Sequence, residues 1–291
     1  MNRTIKKTQS RSRPSVAFQG EHGAFSEEAS LQFFRGNLTP IPCRAFEDVF
    51  SSVRSRKTRY GIIPIENSLG GSILQNYDLL ERNTLVIIGE IKLRVRHALI
   101  ANKGTTIRSL RSILSHPQAL AQCDVFLKSL KNVEAVAVYD TAGAVKLLQE
   151  HQRNDCAAIA NPRTASLYGL HILKEGIESD HRNYTRFLII SRQQRGLQDG
   201  TKTSIVFSLK DMPGALFKAL SVFALRDINL HKIESRPIIG KPWEYLFYID
   251  FEGNMNTIQS QNALRHLKEI THYLKVLGCY PEGLTIDGGN R

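Results

Sequence analysis

Four times before residue 145, a short apolar run feeds a polar turn that opens a helix. The turns fall at residues 20–26, 66–72, 115–118 and 140–143, behind apolar runs at 15–18, 60–65, 113–114 and 133–138. After the turns the apolar spacing becomes helical: Phe25, Ala29 and Phe33 share one face, as do Ile73, Tyr77 and Leu80. Pro117 suits the first turn of its helix, and Asp140 suits an N-cap. Strands alternating with helices predict an α/β domain with a largely parallel sheet, and the units fall into two sets, hence two lobes around a cleft. Ligands of such sheets bind beyond the carboxyl ends of the strands. Free backbone N–H groups and helix dipoles there attract anions.

The segment Asn183-Tyr184-Thr185-Arg186-Phe187 runs straight into the apolar strand Leu188-Ile189-Ile190. It sets a hydroxyl, a permanent cation and a ring side by side. Arginine offers a flat fork of donors matched to a carboxylate. With the four turns, this segment predicts a pocket for a small molecule carrying carboxylates.

Residues 191–200 are polar and punctuated by Gly196 and Gly200, which reads as a linker. Beyond it the pattern changes to strand 204–209, helix 213–226, strands 228–235 and 245–251, helix 261–274 and a last apolar stretch reaching Tyr280. The order β-α-β-β-α-β is that of a small ferredoxin-like domain.

Charge and cysteines narrow the function classes. The 291 residues carry a net charge of +12, and Arg3, Lys6, Lys7, Arg11 and Arg13 supply five of it. Residues 1–13 read as a basic disordered arm without the apolar core of a secretory signal. The other excess charges are scattered, which favours small anions over nucleic acid. Cys43, Cys123, Cys156 and Cys279 lie far apart, against a zinc site or a disulfide framework and for a reducing compartment. No apolar run approaches the roughly 20 residues that cross a bilayer.

Several of these segments also resemble a known family. Ile63-Pro64-Ile65-Glu66-Asn67-Ser68 with Gly70-Gly71, Ser115-His116-Pro117-Gln118-Ala119-Leu120, Asp140-Thr141-Ala142 and Asn183-Tyr184-Thr185-Arg186-Phe187 resemble, in order, the signature segments of prephenate dehydratases. Gly214-Ala215-Leu216-Phe217 and Glu234-Ser235-Arg236-Pro237 resemble the Gly-Ala-Leu and Glu-Ser-Arg-Pro motifs of the ACT regulatory domain attached to them. The likeness spans residues 15–281.

The resemblance implies a two-lobed catalytic domain of the periplasmic-binding-protein-like type at 14–191, a linker at 192–201, an α+β ferredoxin-like ACT domain at 202–281 and a C-terminal tail at 282–291. It implies conversion of prephenate to phenylpyruvate, with loss of water and carbon dioxide and without cofactor or metal, on the way to phenylalanine. Thr185 would hydrogen-bond the leaving hydroxyl and Arg186 would hold a carboxylate. Glu66 would either supply the proton or brace its turn, and His116 would either titrate near neutrality or serve the turn. Asn67, Ser68, Ser115, Gln118, Thr141 and Phe187 would contact substrate. Phenylalanine would bind between two ACT domains at Gly214, Ala215, Leu216, Glu234, Ser235 and Arg236, in a homodimer or homotetramer.

Ala24 and Asp140 match the variants of arogenate dehydratases, so arogenate, converted directly to phenylalanine, is the alternative substrate. The compartment expected is the cytoplasm, or the plastid if the basic arm is a truncated transit peptide. Readings of another class are a solute-binding protein or a non-catalytic amino-acid sensor, since fold alone does not fix function.

Overall fold

The computed structural model describes residues 13–194, 199–238, 240–241 and 243–287. Almost all of the basic arm and the middle of the linker, at 195–198, thus lie outside the described residues. The chain opens with β1 (Ser15–Gln19), α1 (Phe25–Phe33), β2 (Thr39–Cys43), α2 (Phe46–Arg54), β3 (Tyr60–Asn67), β4 (Gly71–Ser72), α3 (Leu74–Arg82) and β5 (Val86–Arg94). A second lobe holds β6 (Ala98–Ala101), β7 (Ser112–Ser115), α4 (Pro117–Gln122), α5 (Asp124–Lys128), β8 (Glu134–Ala137), α6 (Thr141–His151), β9 (Cys156–Ala160), α7 (Arg163–Tyr168) and β10 (His171–Glu175). Strand β11 (Tyr184–Ser191) returns to the first lobe. The C-terminal domain follows as β12 (Lys202–Leu209), α8 (Ala215–Ala224), β13 (Leu230–Pro237), β14 (Tyr245–Glu252), α9 (Ile258–Ile270) and β15 (Thr271–Tyr280), and β16 (Thr285–Ile286) closes the described chain.

Three sheets result. The first lobe orders its strands β16-β5-β11-β3-β1-β2, with β4 beside β3, and the second β10-β6-β9-β7-β8. Both are mixed rather than largely parallel. Strands β1, β2 and β3 pair in parallel, whereas β11 lies antiparallel between β3 and β5, because it comes back from the other lobe. Residues 285–286, in the segment expected as a tail, add a parallel strand beside β5.

The C-terminal sheet, ordered β13-β14-β12-β15, explains why its strands alternate. Ile205, Phe207, Ile249 and Phe251 pack under α8 and α9. The other face, with Val206, Tyr248, Leu277 and Tyr280, packs on Ile63, Ile65, Leu80, Ile87, Leu188 and Ile190 of the first lobe. Each fully buried side chain of this kind contributes about 1.5–3 kcal/mol, so the two domains share one core. Lys275 of β15 reinforces the joint by donating to the carbonyls of Leu80, Glu81 and Asn83 at 3.0, 2.6 and 2.6 Å, capping the end of α3.

Two expectations shift. The helix expected over 261–274 ends at Ile270, because Thr271–Tyr280 alternates as the fourth strand of the sheet, with Leu274 opposite Phe207. Strand β10 carried no recognised signal; its pattern is short and its side chains stand mostly at the surface.

The domains approach too closely for side chains at one point. A Cβ on Gly278 would lie 2.2 Å from the carbonyl oxygen of Ile87. Gly278→Ala is therefore expected to cost about 1–3 kcal/mol by forcing backbones apart. Thermal melting checks this, and an unshifted Tm would show that the joint is slack.

Candidate active site

The carboxyl ends of β1, β2 and β3, the loop before β6, the N-termini of α4 and α6 and the start of β11 enclose a cleft of about 490 Å3 between the lobes. Five of the residues expected to meet a ligand line it: Asn67, Gln118, Thr141, Thr185 and Phe187. His116 lines it too, and its Nδ1 accepts from the Gln118 N–H at 3.2 Å as the N-cap of α4.

The polar centre is the pair Asn67 and Thr185, which face each other in the β3–β11 register. Asn67 Nδ2 donates to Thr185 Oγ1 at 3.0 Å and to Asn183 Oδ1 at 2.7 Å. Its Oδ1 accepts from the backbone N–H groups of Leu69 and Gly70 at 3.1 and 2.7 Å, which explains the polar turn after β3. The Thr185 oxygen is thus already a hydrogen-bond acceptor. Its own proton is left for a group in the cleft.

Arg186 and Glu66, expected as catalytic, lie on the opposite face of the sheet. Thr185 and Phe187 take the cleft side of β11, so strand alternation turns Arg186 toward the C-terminal domain. There Arg186 is 6% exposed and pairs with Glu90 at 2.6 Å, Asp250 at 2.6 Å and Glu66 at 3.3 Å. Glu66 is turned there by an irregularity in β3, where Arg186 opposes Glu66 and Phe187 opposes Pro64, leaving Ile65 unpaired. The Glu66 carboxylate also pairs with Lys232 of β13. Burial would raise the Glu66 carboxyl, but Lys232 and Arg186 outweigh it and hold it below its ordinary value. Glu66 is therefore ionised at neutral pH and has no proton to give.

Ser68 and Ser115 also miss the cleft lining. Ser68 Oγ donates to the Arg182 carbonyl at 2.7 Å and accepts from the Tyr184 N–H at 2.9 Å, tying β3 to β11. Ser115 is fully buried and donates to the Ile159 carbonyl at 2.6 Å, joining β7 to β9. Both brace the strands that carry the cleft residues.

The buried pairs predict an acid dependence. Burial would also raise Glu90, yet Arg186 and Lys202 hold it below its ordinary value. Depressed carboxylates contribute stability that is complete above about pH 4.3 and lost as pH falls through the folded-state pKa. Glu90→Gln should lose less stability between about pH 5 and 3 than the parent. Denaturant titrations at each pH measure this, and equal losses would remove Glu90 from the acid response.

Polar residues of the lining that sequence reasoning did not assign to a ligand include Arg44, Gln75, His97, Gln122, Tyr139 and Asp140. Arg44 follows β2, and its position after a strand was the available signal. His97 is buried, with Nε2 3.0 Å from Gln122 Oε1. Burial holds its imidazole below the usual value, hence neutral. Asp140 caps α6 and also reaches across the lobes, its Oδ2 accepting the Glu21 N–H at 2.8 Å. Lys146 with Glu21, Tyr168 Oη with the His22 carbonyl, and Arg163 with Glu27 hold the same rim closed.

Comparison with known proteins resolves which family builds such a cleft. The family model for prephenate dehydratase matches residues 16–195, and that for the ACT domain matches residues 203–268. The chain belongs to the prephenate dehydratase family. It is 48% identical to arogenate dehydratase/prephenate dehydratase 2, chloroplastic, of Arabidopsis thaliana, over 98% of this chain and 77% of that one. Among solved structures, prephenate dehydratase of Arthrobacter aurescens in complex with L-Phe is 32% identical, with a TM-score of 0.83 over 92% of this chain and 89% of that one. A structure described as a novel type of quorum-quenching acylase is 33% identical, with a TM-score of 0.85 over 92% and 98%. The fold is accordingly that of the family: a two-lobed periplasmic-binding-protein-like α/β domain followed by a ferredoxin-like ACT domain.

In the ACT domain the two motifs expected at an effector are split. Gly214, in the left-handed region at φ 75°, precedes α8, and Leu216 and Phe217 are exposed behind it. The sheet register sets Ser208 opposite Leu246 and Leu246 opposite Arg236, so the Gly214 turn and residues 235–237 share one end of the sheet. On β13, however, Glu234 and Arg236 point at the catalytic domain. Glu234 hydrogen-bonds Ser72, and Arg236 pairs with Asp78 at 2.6 Å. Strand alternation leaves Ser235 and Ile233 facing outward, both exposed. Among the described residues no helix is long and apolar enough to cross a membrane, and no group of three potential metal ligands occurs.

Proposed function

We propose that the chain is a hydro-lyase that removes water and carbon dioxide from prephenate to give phenylpyruvate, a step toward phenylalanine. The observation that carries this is the Thr185 hydroxyl at the cleft wall, whose oxygen accepts from Asn67, leaving its proton for a group in the cleft. Thr185 hydrogen-bonds the leaving ring hydroxyl, the ring C–O bond breaks, and the departing hydroxide takes a proton that comes ultimately from solvent to leave as water. The ring carboxylate leaves as carbon dioxide, and the electrons of its bond aromatise the ring. Aromatisation supplies most of the driving force, so orientation and fixed dipoles suffice. Gln118 and Thr141 orient the substrate from the second lobe, and Phe187 packs beside it. Glu66 stays outside the proton path.

A second reading, conversion of arogenate to phenylalanine, is favoured by the name of the Arabidopsis relative, which carries both activities. Incubating purified protein with prephenate and with arogenate tests both readings through phenylpyruvate and phenylalanine formation. Absence of both products overturns the dehydratase reading. Release of an amine from an N-acyl substrate would then favour the acylase activity described for the structural neighbour.

Phenylalanine acts as effector on the ACT domain, and the Arthrobacter relative crystallised with L-Phe supports this. The effector site takes in the Gly214 turn and Ser235, and the open β13 edge, with Ile233, Tyr245 and Phe217 exposed, pairs with a second copy in a homodimer or homotetramer. Ser235→Leu should abolish phenylalanine inhibition while basal turnover persists; retained inhibition would place the effector elsewhere. The working compartment is the cytoplasm, or the plastid as named for the relative.

A further inference from the structure

Among the described residues lining the cleft, histidines apart, the ionisable charged side chains are one arginine, Arg44, and one aspartate, Asp140. They come from different lobes and both line the cleft. Asp140 Oδ2 accepts the Glu21 N–H at 2.8 Å and would lie 3.0 Å from a Cβ on Gly20. The Gly20 N–H in turn donates to the Cys43 carbonyl at 2.9 Å, and Arg44 is the next residue. The Asp140 carboxylate and residue Arg44, which lines the cleft, therefore stand beside the carboxyl ends of the neighbouring strands β1 and β2.

Among the described residues neither charge has a counter-ion. Asp140 is 9% exposed and accepts from the N–H groups of Glu21 and Ala142, with no cation paired to it among the described residues. The nearby Lys146 pairs with Glu21 instead. Arg44 is exposed and likewise has no carboxylate partner among the described residues. A buried carboxylate without a counter-ion is costly and gains most from a ligand cation.

We propose that Asp140 and Arg44 together hold the amino-acid end of the substrate, Asp140 taking an α-ammonium and Arg44 the α-carboxylate. The inference rests on the dehydratase reading and specifies its substrate class: the amino-bearing cyclohexadienol acid, arogenate. Prephenate offers a keto oxygen at that position, and its lone pairs would face those of Asp140. Such a mismatch of one polar contact discriminates strongly. The same arrangement leaves the ring carboxylate without a cation of its own. A poorly compensated carboxylate is the one that departs most readily as carbon dioxide.

Steady-state kinetics with both substrates test this. The parent is expected to turn over arogenate, and Asp140→Asn and Asp140→Ser, which keep an N-cap acceptor, should lower its kcat/KM relative to prephenate by about 10–100-fold. A purely structural role for Asp140 would lower both substrates alike, and an unchanged ratio overturns the proposal. Arg44→Gln, at an exposed site, should raise KM for both substrates by about tenfold, since the carboxylate is common to both; an unchanged KM overturns the proposal even if the Asp140 variants do not fold. A parent that converts prephenate but not arogenate sinks this inference and leaves the dehydratase reading standing. A parent that converts neither sinks both.

Discussion

Thr185→Ala is expected to lower kcat by about a hundredfold to a thousandfold, the usual cost of removing one donor aimed at developing charge. KM should move by less than about threefold, because the group acts mainly once the C–O bond has begun to break. The geometry makes the prediction sharp. Asn67 Nδ2 occupies the acceptor side of the Thr185 oxygen at 3.0 Å, so a donor is what the hydroxyl has to offer. Alanine also leaves Asn67 with its other acceptors, Asn183 Oδ1 and the Tyr184 carbonyl, so the turn should hold. Serine should restore much of the rate. Near-normal turnover in Thr185→Ala would take this hydroxyl out of the reaction.

Arg186→Ala, one residue along, is expected to act through stability. The guanidinium lies between Glu90, whose side chain is fully buried, and Asp250 of the ACT sheet, and it also donates to Tyr280 Oη at 3.3 Å. Its removal leaves Lys202 to compensate Glu90 at 2.7 Å but strips Asp250 of its cation. Breaking a buried pair from one side costs about 3–5 kcal/mol. For a chain of this size that lowers Tm by about 6–20 °C. The KM of the folded fraction should stay within about threefold, because the cation does not line the cleft. A large rise in KM with an unchanged Tm would return Arg186 to substrate binding.

The fate of Arg186 shows where sequence reading stops. Thr-Arg-Phe reads as one functional unit along the chain, yet a strand sends neighbouring side chains to opposite faces. One member reaches the cleft with Thr185; the other reaches the domain joint. The C-terminal motif Glu-Ser-Arg-Pro divides in the same way, with Glu234 and Arg236 turned inward and Ser235 outward. Alternation itself was visible in the sequence. Which face each residue takes depends on what packs there, and that sheet partner is distant in the chain.

Local pattern determined the strand–turn–helix units, which follow from periodicity and from turns that need capping groups, and the change of pattern after residue 200; the resemblance of the motifs marked the cleft-lining positions Asn67, Gln118, Thr141 and Thr185. Only the tertiary structure decided that β11 inserts antiparallel beside β3, that the unpaired Ile65 turns Glu66 away from Asn67, and that the ACT sheet covers the far face. Those outcomes rest on contacts across more than a hundred residues of chain, such as Asn67 with Thr185 and Glu66 with Arg186. Burial of a shared core selects such contacts, and no local spacing encodes them.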